Sequence, residues 1–68
     1  MMDTADQREL ELWRQHGLTA DSVHRDIGYF KVQRKKFAAR FAKPEDIAWY
    51  DNRIAFLEWL LKQPRSDE

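Results

Sequence analysis

The chain has 68 residues, no cysteine, two histidines, and twelve basic residues balanced by twelve acidic ones. This length allows a single domain, residues 1–68, and the lack of cysteine excludes disulfides and thiolate metal sites. A hydrophobic fraction of 43% is too high for an intrinsically disordered chain, yet no apolar run approaches the roughly 18 residues of a transmembrane helix.

A domain of this size buries only about 60% of the surface of its unfolded chain, so its core is small. Such domains usually need disulfides, a metal or a partner subunit. His16 and His24 show no recognisable metal-ligand spacing, so we predict no metal and no cofactor. Association with a second copy remains, and we predict a homodimer. Residues 1–6 are acidic and polar, unlike a secretory signal, so we expect a cytoplasmic protein of bacterial or phage origin.

The first predicted helix runs from about residue 5 to residue 16. Thr4 and Gln7 have the spacing of a capping box, which satisfies free N–H groups at a helix start. Leu10 and Trp13 form a narrow apolar stripe, and Gly17 suits the left-handed position that often follows a helix. This helix is short and mostly polar, so we expect it to be stable only when docked.

The second predicted helix runs from residue 20 to about residue 42, after a cap at Thr19. Gly28 is either tolerated inside this helix, a point of close helix contact, or a break between two helices. Arg34 interrupts the apolar stripe, so it either pairs with Asp51 or Glu58 or extends to water. The stripe recurs every three or four residues and comprises Val23, Ile27, Phe30, Arg34, Phe37 and Phe41.

The third predicted helix runs from Pro44 to about residue 63, and residues 64–68 are predicted to be a frayed tail. Its apolar stripe comprises Ile47, Tyr50, Ile54, Leu57 and Leu61. The two striped helices predict an all-α fold, in which a short N-terminal helix packs on a long antiparallel helical hairpin. In a dimer, the paired hairpins would form a four-helix core.

The third helix has more apolar surface than one facing helix can cover. Trp49, Phe56 and Leu60 lie beside its main stripe, and Trp59 lies near the opposite side. Trp49 and Phe56 are either the seat of the first helix or part of a binding face, and the two interpretations are compatible. We predict Trp49, Phe56, Trp59 and Leu60 as protein-binding residues, since aromatic residues dominate such surfaces.

A basic segment separates two acidic ends. Residues 31–43 hold six basic and no acidic residues, whereas residues 1–30 and 44–68 each hold six acidic and three basic ones. This segment is either a solvated helix face or a surface for an acidic protein or a nucleic acid. The surface residues that we predict are Lys31, Lys35, Lys36, Arg40 and Lys43.

Residues 18–30 resemble the first helix and turn of the helix–turn–helix motif, with Val23 and Ile27 buried and Gly28 in the turn. The resemblance implies a recognition helix that presents five polar residues to the phosphates and base edges of DNA: Lys31, Gln33, Lys35, Lys36 and Arg40.

The sequence shows no nucleophile–base pair, no glycine-rich phosphate loop and no metal-ligand spacing. We therefore predict a protein that is not an enzyme and has no small-molecule substrate. The predicted function is non-catalytic protein binding, as a small regulator, adaptor or inhibitor that binds itself and another protein. The alternative is a small DNA-binding regulator with a degenerate helix–turn–helix at residues 18–42.

Overall fold

The structure, a computed structural model, describes residues 3–40 and 43–65. In these ranges the chain forms three helices and no strand, which confirms the all-α prediction. The helices are α1 (Thr4–Arg14), α2 (Ala20–Arg40) and α3 (Pro44–Leu60). α1 ends two residues and α3 three residues before the predicted positions. Residues 41–42, where we predicted the end of the second helix and the last stripe residue Phe41, lie outside the described residues.

Asp3 caps the start of α1, so the predicted capping box at Thr4 is wrong. Asp3 has an extended backbone, and its Oδ1 accepts a hydrogen bond of 2.9 Å from the backbone N–H of Asp6. A carboxylate also places a full negative charge at the positive end of the helix dipole, which a threonine hydroxyl does not.

The end of α1 is closed by His16, which has the left-handed backbone that we predicted for Gly17 (φ 62°). The N–H of Gly17 donates to the carbonyl of Leu12 at 2.7 Å, and that of His16 donates to Trp13 at 3.2 Å, as in a Schellman motif. A Cβ at position 17 would lie 3.1 Å from Leu12 Cδ2. Glycine is therefore used here for close approach.

α2 is one continuous helix across Gly28. Thr19 caps it as predicted, with its Oγ1 accepting from the N–H of Ser22 at 3.0 Å. A Cβ at Gly28 would meet no heavy atom within 4 Å. Gly28 is therefore a tolerated glycine, and the alternatives of a helix break and a close contact are both excluded.

α3 is the central helix, because both α1 and α2 pack on it. α1 and α2, in the part that the structure describes, have no pair of Cα atoms within 8 Å of each other. The core lies where the apolar stripes meet, and Leu10 and Leu18 pack against it. Its buried members are Trp13, Val23, Ile27, Ile54, Leu57 and Leu60.

The segment after α3 holds the end of α1 in place, although we predicted residues 64–68 to be frayed. The Trp13 indole Nε1–H donates to the carbonyl of Gln63 at 2.9 Å. The Arg65 guanidinium lies 3.9 Å from the centre of the Trp13 ring and donates to the carbonyl of Leu18 at 3.0 Å. The frayed-tail prediction is wrong at residue 65, and residues 66–68 lie outside the described residues.

Candidate protein-binding surface

The four predicted protein-binding residues occupy three different environments. Leu60 is 0% exposed and belongs to the core, so it is not on the surface and leaves the predicted set. Phe56 is partly buried and packs against the core. Trp49 is 55% and Trp59 38% exposed, which leaves two large rings on the surface of α3. Phe56 and Trp59 lie side by side, with ring centres 5.7 Å apart.

Trp49 belongs to a cluster of rings that joins α2 to α3. Phe30 is at the centre, with ring-centre distances of 5.8 Å to Trp49 and 6.3 Å to Tyr50. Tyr29 extends the cluster on one side of Phe30, at 5.6 Å, and Phe37 extends it on the other side of Tyr50, at 5.6 Å. Aromatic pairs at such separations add packing energy beyond their buried area, so these rings are held in defined positions.

Arg53 on α3 attaches the start of α1 to the cluster. Its guanidinium contacts Asp6 Oδ1 at 3.2 Å and also pairs with Glu9. The same group lies over the rings of Phe30 (5.9 Å) and Phe56 (5.6 Å). Arg53 is therefore shared between two carboxylates and two aromatic faces, an arrangement that suits the planar guanidinium.

The acidic side of α1 carries more negative charge than Arg53 neutralises. Asp3, Asp6 and Glu9 recur at every third position, so they share one side of the helix. Burial, and next the charge of Asp3, raise the pKa of the Asp6 carboxyl above its ordinary value, while Arg53 lowers it. The net direction is upward, so the attraction of Arg53 does not fully offset burial and the neighbouring acids.

Arg34 pairs with Asp51, one of the two partners that we predicted. Arg34 Nε lies 2.6 Å from Asp51 Oδ1, and Nη2 lies 3.4 Å from Oδ2. Both side chains remain substantially exposed, so the pair lies at the edge of the α2–α3 seam. The two interpretations of Arg34, pairing and extension to water, are thus combined in one side chain.

The five predicted basic surface residues are all exposed, but they do not form one patch. At about 100° per residue, Lys31 and Lys35 lie on one side of α2, and Lys36 and Arg40 lie on the other. Lys36 and Arg40 line a shallow cleft of about 190 Å³ together with Gln33 and Phe37. Lys43 lies just before α3, in the N-cap position.

Two further clefts continue from this one along the surface. A middle cleft of about 200 Å³ shares Phe37 with the basic cleft and is lined by Asp46, Trp49 and Tyr50. An acidic cleft of about 630 Å³ shares Trp49 with the middle cleft and lies at the start of α1. The residues that line this acidic cleft include Asp3, Ala5, Asp6, Phe30, Trp49 and Arg53.

Several residues of this surface are not among those predicted from the sequence. Tyr29 is 59% exposed and Val32 about half exposed, and both lie off the core stripe of α2, which a helical wheel could have revealed. The positions of Asp3 and Asp6 beside Trp49 depend on how α1 docks, and no local pattern predicts that. The predicted helix–turn–helix turn at Gly28 is absent, because α2 is continuous there.

Within residues 3–40 and 43–65, no three His, Asp or Glu side chains are grouped so that they could hold a metal ion. The helices of these ranges include none with the length and apolarity needed to cross a membrane. Comparison with protein-family models, with curated proteins and with solved structures finds no match to the chain.

Proposed function

We propose that this chain is a non-catalytic protein-binding module, a small regulator, adaptor or inhibitor that acts through the exposed rings of α3. The observation that carries the proposal is the exposure of Trp49 and Trp59 on a helix whose neighbouring residues form the core. Large exposed aromatic residues present apolar area to water in the free protein and bury that area in a complex, which is why they dominate binding hot spots.

The orientation of the helices supports this proposal. Three contacts join α2 to α3: Phe37 with Tyr50, Arg34 with Asp51, and Phe30 with Arg53. As the residue number increases along α3, the number of the contacting residue on α2 decreases. We infer from this register that α2 and α3 form the antiparallel hairpin expected from the sequence. Such a hairpin presents Trp49 and Trp59 on a rigid element, which lowers the entropy cost of binding.

Charge supports an acidic protein as the partner. The exposed basic residues of α2 would raise the association rate of an acidic surface and would contribute less to the final affinity. Trp59 is the anchor that we assign to this partner, because it lies about 15 Å along the α3 axis from Trp49, outside the three connected clefts.

The test is affinity capture from a cell lysate with the tagged full chain, quantified by mass spectrometry. We expect a specific protein that is captured by the wild type and by Val32→Ala, a control that shortens an exposed apolar side chain of α2. Capture by Trp59→Ala should fall by about tenfold or more, since a hot-spot residue contributes at least this factor. Equal capture by Trp59→Ala, or no protein enriched by the wild type, would overturn the proposal.

DNA binding remains the alternative, supported by the exposed lysines of α2. Because α2 is continuous, such binding would act through phosphates and would weaken steeply with salt. Binding of a random duplex at low salt that is abolished by Lys35→Glu and Lys36→Glu would favour this alternative. A chain that leaves the duplex unbound at low salt would remove it.

A further inference from the structure

The acidic, middle and basic clefts follow one another, each sharing a lining residue with the next, and together they are called the groove. Trp49 is the wall between the acidic and middle clefts, and Phe37 is the wall between the middle and basic clefts. Both rings are exposed, Phe37 by 38%. The groove therefore has two apolar ridges with a depression on each side. A partner with protruding side chains of its own could pack into these depressions.

The two ends of the groove carry opposite charge. At one end, Asp3 and Asp6 line the acidic cleft with a single guanidinium, that of Arg53, which pairs with Asp6 and with Glu9. At the other end, Lys36 and Arg40 line the basic cleft without an acidic residue among its lining. Among the described residues, Asp46 is the one charged residue that lines the middle cleft. The groove thus runs from negative to positive, with aromatic rings and Asp46 between the two ends.

A surface of this kind is complementary to itself. In a two-fold dimer, if one residue of the first copy contacts a second residue of the other copy, the reverse contact is also made. When two grooves pair in antiparallel orientation, the acidic end of each groove therefore faces the basic end of the other. The apolar ridges then meet near the two-fold axis. A surface of uniform charge could not associate with itself in this way, because like charges would be opposed.

The dimensions of the molecule fit the same arrangement. Its principal extents are 44 × 25 × 15 Å, so it is thin in one direction and has a broad face on which the groove can lie. Stable interfaces bury roughly 800 Å² on each partner, and this chain has 5268 Å² of accessible surface. A second copy would add the second layer that most stable domains possess.

We propose that the groove is the interface of a homodimer, in which the Asp3–Asp6 end of each copy receives the Lys36–Arg40 end of the other. This inference deepens the proposed function, since it assigns Trp49 to self-association and leaves Trp59 for the other protein. The occupant of the groove is a second copy of this chain.

The test is a charge exchange, measured by sedimentation equilibrium of the full chain. One variant, Lys36→Glu with Arg40→Glu, makes the basic end acidic. The other, Asp3→Asn with Ala5→Lys, makes the acidic end basic; asparagine is also a good N-cap, and the Arg53 pairs are untouched. A matched control, Lys31→Glu with Lys35→Glu, changes the net charge by the same amount as the Lys36–Arg40 variant, but on the other side of α2. Circular dichroism confirms that each variant retains its helix content.

The wild type and the control should dimerise with the same Kd. Each groove variant alone should dimerise about tenfold or more weakly, because two like-charged contacts are created in every dimer. An equimolar mixture of the two variants should form heterodimers with a Kd near that of the wild type, since both contacts are then attractive.

Three results would overturn the proposal: a monomeric wild type, which would leave the groove to another occupant; a control as weak as the groove variants; or a mixture no tighter than its components. Each of these outcomes is separate from the proposed function, because Trp59→Ala should leave the dimer Kd unchanged and weaken only the capture of the other protein. A dimer without a captured protein would contradict the proposed function and leave the groove assignment intact.

Discussion

The Arg65 guanidinium lies 3.9 Å from the centre of the Trp13 ring, so the segment after α3 is fixed on the end of α1. Trp13 is a buried member of the core, and Arg65 also donates to the carbonyl of Leu18. This contact joins the first and last parts of the described chain. It converts α1, which would be marginal alone, into a docked helix.

Replacement of Arg65 should therefore destabilise the domain. We expect Arg65→Ala to lower the free energy of unfolding by about 1–2 kcal/mol, from the lost cation–π contact and hydrogen bond. Arg8→Ala, which removes an exposed arginine of α1, is the control and should change it by less than about 0.5 kcal/mol. Urea denaturation measures both, and equal effects would show that the contact with Trp13 contributes nothing.

The two glycines should respond oppositely to alanine. Gly28→Ala adds a methyl group in open space inside a helix, so it should raise the free energy of unfolding by about 0.5–1 kcal/mol. Gly17→Ala places a Cβ 3.1 Å from Leu12 Cδ2 and 3.3 Å from the Leu12 carbonyl oxygen, so this substitution should lower the free energy of unfolding. Thermal unfolding of the pair checks both signs, and a stabilising Gly17→Ala would contradict the close approach at Leu12.

Asp6 should give the domain a distinctive pH dependence. Because burial and Asp3 raise its pKa above 3.8, the folded state binds the proton more tightly than the unfolded state does. The stability that this provides is full below pH 3.8 and is lost as the pH rises through the raised pKa. Asp6→Asn does not titrate, so the wild type should lose stability relative to this variant over that rise.

Urea denaturation of both proteins, below pH 3.8 and at neutral pH, measures this difference. A wild type that instead gains stability relative to Asp6→Asn would mean that the ion pair with Arg53 outweighs burial and the neighbouring acids.

Leu60 should behave as a core residue, although the sequence placed it among binding residues. Leu60→Ala should lower the free energy of unfolding by about 2–5 kcal/mol, a loss that a domain of this size barely tolerates. Leu12→Ala removes the same atoms from a side chain that is 39% exposed and should cost clearly less. Hydrogen exchange or chemical denaturation compares the two, and equal costs would contradict the assignment of Leu60 to the core.

The sequence predicts most of the fold because its strongest signal is periodic. Val23, Ile27, Ile54 and Leu57 lie on regular stripes, and all four are buried. The facing stripes also place Arg34 opposite Asp51, so that ion pair was among the predicted alternatives.

The features that the sequence did not predict depend on contacts between distant segments or on competition between adjacent residues. Leu60 and Trp49 lie on one face of α3, yet Leu60 is buried and Trp49 is exposed, a difference that depends on what packs beside each of them and not on the periodic pattern. The contact of Arg65 with Trp13 requires the chain after α3 to turn back on α1, for which the sequence has no local signal. Asp3 and Thr4 are both good caps, and their order at the helix start decides between them.

NMR of the three tryptophan side chains measures directly whether the exposed rings of α3 are binding surfaces. Each indole N–H gives its own NMR signal, and Trp13, whose N–H is bonded to Gln63, is an internal control. On raising the concentration from micromolar to millimolar, the Trp49 signal should shift, while those of Trp13 and Trp59 stay fixed. Addition of the captured protein should then shift Trp59. A Trp49 signal that is constant over the whole range, with a Trp59 signal that no captured protein moves, would contradict the account.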